Sequence, residues 1–419
     1  MNRHSLSDKL TKAIVTSESF NLSSLSRRAA IHSCAVLGVF GFAAYSRQAS
    51  SSQATDVSVL SRVRFKDNDG AVQQVDGRVL FRGAEGGLLI EDAAARLWTV
   101  TAERLVSENK TSTAFEPLTA AQLGEVISNE AVSAGVNGPF SVHTTDHYVI
   151  ATNTSEVYAQ WCGRLLERLK VAMTNFWKTR DLELAEPEFP LPVLILSRKE
   201  DFGKLAVYDS TPGSAKGQGY YLITGNRVVL YDLTSNGGAS TAKTVGDVQR
   251  RLVRSPSSVA TVVHEATHQI AFNCGVHTRY ADNPLWMTEG LAMYFETPDL
   301  SSSRGWRTIG KISPVRLRRF RDYAATRRDG DSLETLIRDN ARLVDPEKAI
   351  DAYAESWALT HFLIRSRGRQ YATYVRKLAE KPRLRFDKPD ERLAAFQENF
   401  GALSIMEKQF LSYVRRLRG

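Results

Sequence analysis

The stretch Val262-Val263-His264-Glu265-Ala266-Thr267-His268-Gln269-Ile270 sets two histidines four residues apart, with a glutamate beside the first. On a helix, residues four apart share one face, so His264 and His268 can grip a single metal ion together. Glu265 sits one residue round from that face, within reach of a water on the ion. Zinc brings the pKa of such a water toward neutrality, and a carboxylate beside it can take the proton. An amide can then be hydrolysed without a protein nucleophile. The flanks predict a helix: Ser255 as cap, Pro256 at the first helical position, and Gly275 as stop. Val259, Val262, Val263, Ala266 and Ile270 are its apolar positions. In a chain with 8 His among 419 residues, a chance H-E-x-x-H is about a one-in-a-hundred event, so coincidence explains it poorly.

A catalytic zinc needs a third protein ligand and one open position. A third histidine six residues after the second is excluded, because Cys274 stands there. The stretch Trp286-Met287-Thr288-Glu289-Gly290-Leu291-Ala292-Met293-Tyr294-Phe295-Glu296 offers a glutamate instead. Twenty residues separate His268 from Glu289, room for a turn at Asn283-Pro284 and a returning helix. Glu289 is the expected ligand. Glu296, seven residues on and on the same face, is the alternative.

Together, H-E-x-x-H and W-x-x-E-G-L-A-x-Y-F resemble the peptidase MA-like gluzincins, zinc metallopeptidases. More closely, the pattern resembles an uncharacterised bacterial domain-of-unknown-function family, number 1570, within that group. The resemblance runs from about His147, through Trp161-Cys162 and His264-Glu265, to Tyr353. It implies a zincin-like α+β domain with His264, His268 and Glu289 as Zn2+ ligands and Glu265 as general base. It departs from thermolysin-like members at Met293, where they carry an aspartate that orients the first histidine. Asp282 or Glu296 are the candidates for that task. The stretch Ala352-Tyr353-Ala354-Glu355-Ser356-Trp357 resembles the downstream helix that supplies a tyrosine to the oxyanion, which would make Tyr353 catalytic. The competing reading of Tyr353 is a core aromatic beside Trp357 and Phe362. For His143 and His147 structural roles are expected, for His361 a surface or core place, and His277, just after the helix stop, is expected only to line the site. Tyr220-Tyr221 reads as hairpin packing ahead of a peptide-holding edge strand.

Around this centre the chain divides into four parts. Residues 1–55 carry Arg27-Arg28, an apolar run from Ala29 to Tyr45, and a small polar stretch, the order of an export signal or an N-terminal anchor. The arginine pair partly matches a twin-arginine signal. The expected location is therefore exported, periplasmic or cell-surface, with membrane association through the N-terminal segment if it is retained. Residues 56–108 alternate short apolar stretches with Asp and Gly and predict a small SH3-like β-barrel, a binding or spacer module. Residues 109–138 read as a linker. Residues 139–419 form the expected catalytic domain, with strands at 147–152 and 191–196, a helix begun at Ser155, and a hairpin across Thr224–Asn226.

Hydrophobic residues at 42% and charged residues at 24% are those of a folded protein. A net charge of +9 raises the question of nucleic acid. The denser run Arg316, Arg318, Arg319, Arg321, Arg327 and Arg328 is read instead as a solvated helix face, and no nucleic-acid partner is expected. Cys34 lies within the apolar run. Cys162 and Cys274 remain, either as a disulfide or as two buried thiols. The expected partner is a peptide or protein substrate. A non-catalytic exported surface protein on the same fold, and a zinc hydrolase of a non-peptide amide, stay open beside that reading. The oligomeric state is not legible.

Overall fold

The structure, a computed structural model, describes residues 59–235, 242–254, 256–297 and 306–418. The expected export signal, Cys34 and the expected cap Ser255 lie outside these residues. Strand β1 (Val59–Lys66) shows how the first unit forms: Ser61, Val63 and Phe65 point inward while Arg62, Arg64 and Lys66 face water. With β2 (Val72–Arg82), β3 (Leu88–Asp92), β4 (Leu97–Val100) and β5 (Leu105–Ala114) it makes an antiparallel sheet in the order β4-β3-β2-β1-β5. Val63, Phe65, Val75, Val79, Leu88, Ile90 and Val100 fill its inner face. Burying each such apolar side chain contributes about 1.5–3 kcal/mol. The expected barrel is corrected. The sheet is open, because β4 and β5 are edges that do not pair with each other. The strand β5 also runs beyond 108, so the sheet extends into the stretch read as a linker.

That stretch goes on into helix α1 (Ala120–Ser133), then β6 (Ser141–Thr144), β7 (Tyr148–Thr152), α2 (Glu156–Lys178), β8 (Leu191–Leu196), α3 (Lys199–Tyr208), β9 (Gly219–Leu222) and β10 (Arg227–Tyr231). The second sheet has the order β6-β7-β8-β10-β9. Its three central strands are parallel, and both edge strands run against them. Strands covered on both faces need apolar residues throughout, and Tyr148-Val149-Ile150-Ala151 and Leu191-Pro192-Val193-Leu194-Ile195-Leu196 supply them. Alternate residues divide between two cores. Val149, Ala151, Leu194 and Leu196 meet Leu123, Ile127, Phe202 and Leu205 of α1 and α3. Tyr148, Ile150, Val193 and Ile195 belong to the larger core built by the remaining helices. Ser155 is the N-terminal cap residue of α2, but its hydroxyl donates to the Ala242 carbonyl instead of accepting from the helix.

Beyond β10 follow α4 (Val245–Val253), α5 (Pro256–Asn273), α6 (Leu285–Phe295), α7 (Pro314–Thr326), α8 (Ser332–Arg338), α9 (Ala341–Val344), α10 (Ala349–Ala379), α11 (Pro389–Phe400) and α12 (Leu403–Arg416). Gly275, at φ +87°, ends α5 as its left-handed stop. The coarse class is therefore α+β, with two sheets. No helix among the described residues is long and apolar enough to cross a membrane.

The arginine run is not simply a solvated face. Arg316 pairs with Glu296, Arg319 and Arg327 with Asp351, and Arg328 with the fully buried Glu355 and with Glu407. Arg321 donates to carbonyls at the end of α12. Periodicity alone cannot reveal this, because the carboxylates come from distant helices. Cys162 and Cys274 are separate buried thiols, so the disulfide alternative falls. Burial pushes both up, Cys274 to about 11.

Candidate metal centre

Helix α5 carries its histidines inward because nearly all of its described face is covered. It packs against α2, α4, α6, β9 and β10. His264, Glu265, His268 and Glu289 are each only 3–5% exposed. Helix α6 is buried at every one of its eleven positions, so it brings Glu289 into the core instead of to the surface. The glycine after Glu289 has a steric reason. A Cβ at Gly290 would stand 2.0 Å from Thr360 Oγ1 and 2.8 Å from the Ser356 carbonyl, so α6 and α10 cross at a distance only glycine permits.

The four groups predicted from sequence come together. His264 Nε2 and His268 Nε2 face each other at 3.1 Å. Glu289 turns one oxygen to each: Oε2 lies 3.3 Å from His264 Nε2 and Oε1 lies 3.4 Å from His268 Nε2. Tetrahedral zinc with ligands at 2.0–2.1 Å holds neighbouring ligand atoms about 3.3 Å apart, the size of the spacing between each imidazole nitrogen and the Glu289 oxygen that faces it. Glu289 Oε2 is buried and accepts no hydrogen bond among the described residues. Two imidazole nitrogens and a carboxylate are also a donor set that zinc prefers. These residues fit the ion, and among the described residues they form the one such group, with a ligand atom of each within 4.8 Å of the others.

Electrostatics point the same way. Burial works to lower His264, but the Glu289 and Glu296 carboxylates outweigh it and push it up to about 10. Burial works to raise Glu289, and His268 and His264 outweigh that and hold it well below the usual carboxylate range. The pocket thus favours positive charge between these side chains. Glu265 is raised, first by burial, with both histidines opposing. Its Oε2 accepts the Tyr221 backbone N–H at 2.9 Å, which leaves Oε1 as the other oxygen. Gly219 lets β9 lie this close: a Cβ there would sit 2.5 Å from Leu230 Cδ2 and 3.4 Å from Glu265 Cγ.

Of the two expected candidates for orienting His264, Glu296 has the position. Its Oε1 accepts from His264 Nδ1 at 2.7 Å, and Arg316 grips both its oxygens at 2.6 and 2.7 Å. A proton fixed on Nδ1 leaves Nε2 as the donor atom for a metal. Glu296 is therefore placed behind the first histidine and not in the ligand triangle. Asp282 is elsewhere, paired with Arg392 and Lys381. Arg316 had no signal of its own in the sequence beyond membership of the arginine run.

Tyr353 is buried on α10. Helix α10 packs on α6, with Trp286 stacked on Tyr374, Gly290 against Ser356 and Thr360, and Tyr294 beside His361. His277 packs on Phe272, and both its ring nitrogens are buried without a partner among the described residues. Burial, then nearby His268, lowers it to about 3. His147 pairs with Glu167 and Glu186, and His361 lies between the Gly310 carbonyl and Tyr413. Both stand apart from the His264–His268–Glu289 cluster in local polar contacts of their own. Tyr220 and Tyr221 pack in the hairpin, as expected: their hydroxyls bond Asp209 and Asn226.

Residues 258–385 match the family model described as a protein of unknown function, DUF1570. The match covers nearly all of α5 and runs into the segment after α10, so it includes every residue of the cluster and Tyr353. No curated protein matches the chain.

Proposed function

We propose that the chain is a zinc-dependent metallopeptidase that hydrolyses peptide bonds by adding water to the scissile carbonyl. The observation that carries this reading is the triangle of His264, His268 and Glu289 with the Glu265 carboxylate beside it. His264, His268 and Glu289 would hold the ion, and Glu296 with Arg316 would keep His264 in the ligating tautomer. When bound, zinc supplies Lewis acidity and makes a water acidic near neutral pH.

Glu265 does the proton work. Its Oε2 is tied to the Tyr221 N–H, so Oε1 takes the proton from the attacking water as the new carbon–oxygen bond forms. The same oxygen then gives that proton to the amine nitrogen as the carbon–nitrogen bond breaks. Its raised pKa, set by burial, suits a group that must first accept and then donate. Tyr353 is assigned the oxyanion, as a hydroxyl donor from α10. A zincin-type arrangement is supported by the parallel sheet with an antiparallel edge strand passing over Glu265. The apolar run behind Arg27-Arg28 supports a substrate outside the cytoplasm.

The test is Glu265→Gln in the zinc-loaded chain, assayed on a peptide library. Zinc content should stay at the wild-type level while turnover falls by about a hundredfold or more. Full activity in that variant would sink the mechanism.

A further inference from the structure

The first sheet was expected to be a separable binding or spacer module, yet it grips the hairpin that touches Glu265. The Leu97 N–H on edge strand β4 donates to the Thr224 carbonyl at 2.8 Å, inside the β9–β10 turn. Arg279, 5% exposed, reaches the same turn from the loop after α5. Its Nη1 donates to the Ala95 carbonyl at 2.7 Å and the Ile223 carbonyl at 3.3 Å, and its Nη2 pairs with Glu91. The other Glu91 oxygen holds Arg78, which also pairs with Glu188 of the larger unit. On the far side of β9, Arg96 bridges Asp92 and Glu130. Glu130 then holds the buried Arg227, whose second partner Asp209 accepts from the Tyr220 hydroxyl. Helix α5 completes the grip: Gln269 donates to the Asn226 carbonyl, and Asn273 exchanges side-chain hydrogen bonds with Asn226.

Ile223, whose carbonyl Arg279 holds, is two residues from Tyr221, whose N–H holds Glu265. Ile223 is the first residue of the turn and follows directly on Leu222, the last residue of β9 and the neighbour of Tyr221. Resting on the peptidase reading, we infer that Arg279 is a positioning residue for Glu265, which ties β9 to the first sheet and so fixes the height at which Tyr221 meets the carboxylate. A guanidinium suits this place, because its planar fork reaches a carboxylate and two carbonyls from one buried point. The first sheet is then part of the frame of the active site. Displacing a proton-transferring carboxylate by about 1 Å costs up to a hundredfold in rate, so a loosened β9 is read out in turnover before it is read out in folding.

The experiment uses the full zinc-loaded chain with Arg279→Lys, which keeps the charge and loses the fork. Hydrogen exchange is followed at the Tyr221 amide, and kcat and KM are measured on a peptide that the wild type cleaves. The expected result is at least about tenfold faster exchange at Tyr221, unchanged exchange in α10, and unchanged zinc content. With it, kcat should fall about tenfold while KM stays within about twofold. Unchanged Tyr221 exchange, or unchanged kcat, overturns the inference. So does a uniform acceleration in both sheets, which would leave Arg279 a purely structural role. Should Arg279→Lys fail to fold, Glu91→Gln removes the charge partner at constant size and is judged by the same outcomes. A wild type that cleaves no peptide sinks the peptidase reading, while the exchange result still decides whether Arg279 ties β9 to Glu265.

Discussion

Replacing Glu296 separates an orienting carboxylate from a metal ligand. Its Oε1 accepts from His264 Nδ1 at 2.7 Å, and its carboxylate is clamped by Arg316, with both side chains 14% exposed. Loss of such an outer partner costs about 10- to 100-fold in metal affinity, or about 1.4–2.7 kcal/mol. Glu296→Gln retains an acceptor for the imidazole but loses the charge that favours its N–H, so about tenfold weaker zinc binding is expected. Glu296→Ala removes the acceptor and leaves Arg316 without that partner, and about a hundredfold is expected. The assay is competition for zinc against a chromophoric chelator at constant pH, with thermal unfolding run alongside to confirm folding. The order should be wild type, then Gln, then Ala, all saturating at the same stoichiometry. Loss of stoichiometric zinc in Glu296→Ala would make Glu296 a ligand, and affinity unchanged within about twofold would remove it from the site altogether. Either result refutes the assignment.

Three further outcomes are expected. Tyr353→Phe should keep zinc and fold but lose about 10²–10³ in kcat if its hydroxyl serves the oxyanion; unchanged kcat would return Tyr353 to the core. Gly290→Ala should destabilise by about 1–3 kcal/mol, because the new Cβ meets Thr360 and the Ser356 carbonyl; urea unfolding measures this, and a neutral result would show that α6 and α10 can separate. His277, held near 3 when folded, binds a proton in the unfolded chain from about pH 6.5 downward. The unfolded state then binds more protons, so stability falls with pH between about 6.5 and 3 by up to about 1.4 kcal/mol per pH unit. His277→Phe should flatten that slope in pH-dependent unfolding and, by removing two unpartnered nitrogens, should not destabilise at neutral pH.

The candidate cluster was legible because a pair of side chains that must share one point from a helix obeys a spacing. His264 and His268 are one turn apart, and the returning helix announces itself by Asn283-Pro284 and by the glycine that α10 requires. The strands β7 and β8 were legible because burial on both faces leaves nearly continuous apolar runs. What was not legible depends on pairings between distant segments. Whether β4 meets β5 is a question of sheet curvature, not of strand propensity, and the closed barrel was the wrong answer. The choice between Asp282 and Glu296 turned on which of two similar carboxylates found His264 and which found Arg392. Arg279 and Tyr221 carry no motif, since one acts through carbonyls and the other through its backbone N–H. The arginine run misled because clustering in sequence looks the same whether its partners are water or the carboxylates of α10 and α12.

The most direct test of the metal centre is the zinc content of the purified chain after metal-replete refolding and desalting, measured by mass spectrometry beside Glu289→Ala and His268→Ala. About one zinc per wild-type chain, lost from both variants while they remain folded, is the predicted result. A wild-type chain that retains no zinc, or a Glu289→Ala variant that keeps all of it, would contradict the account.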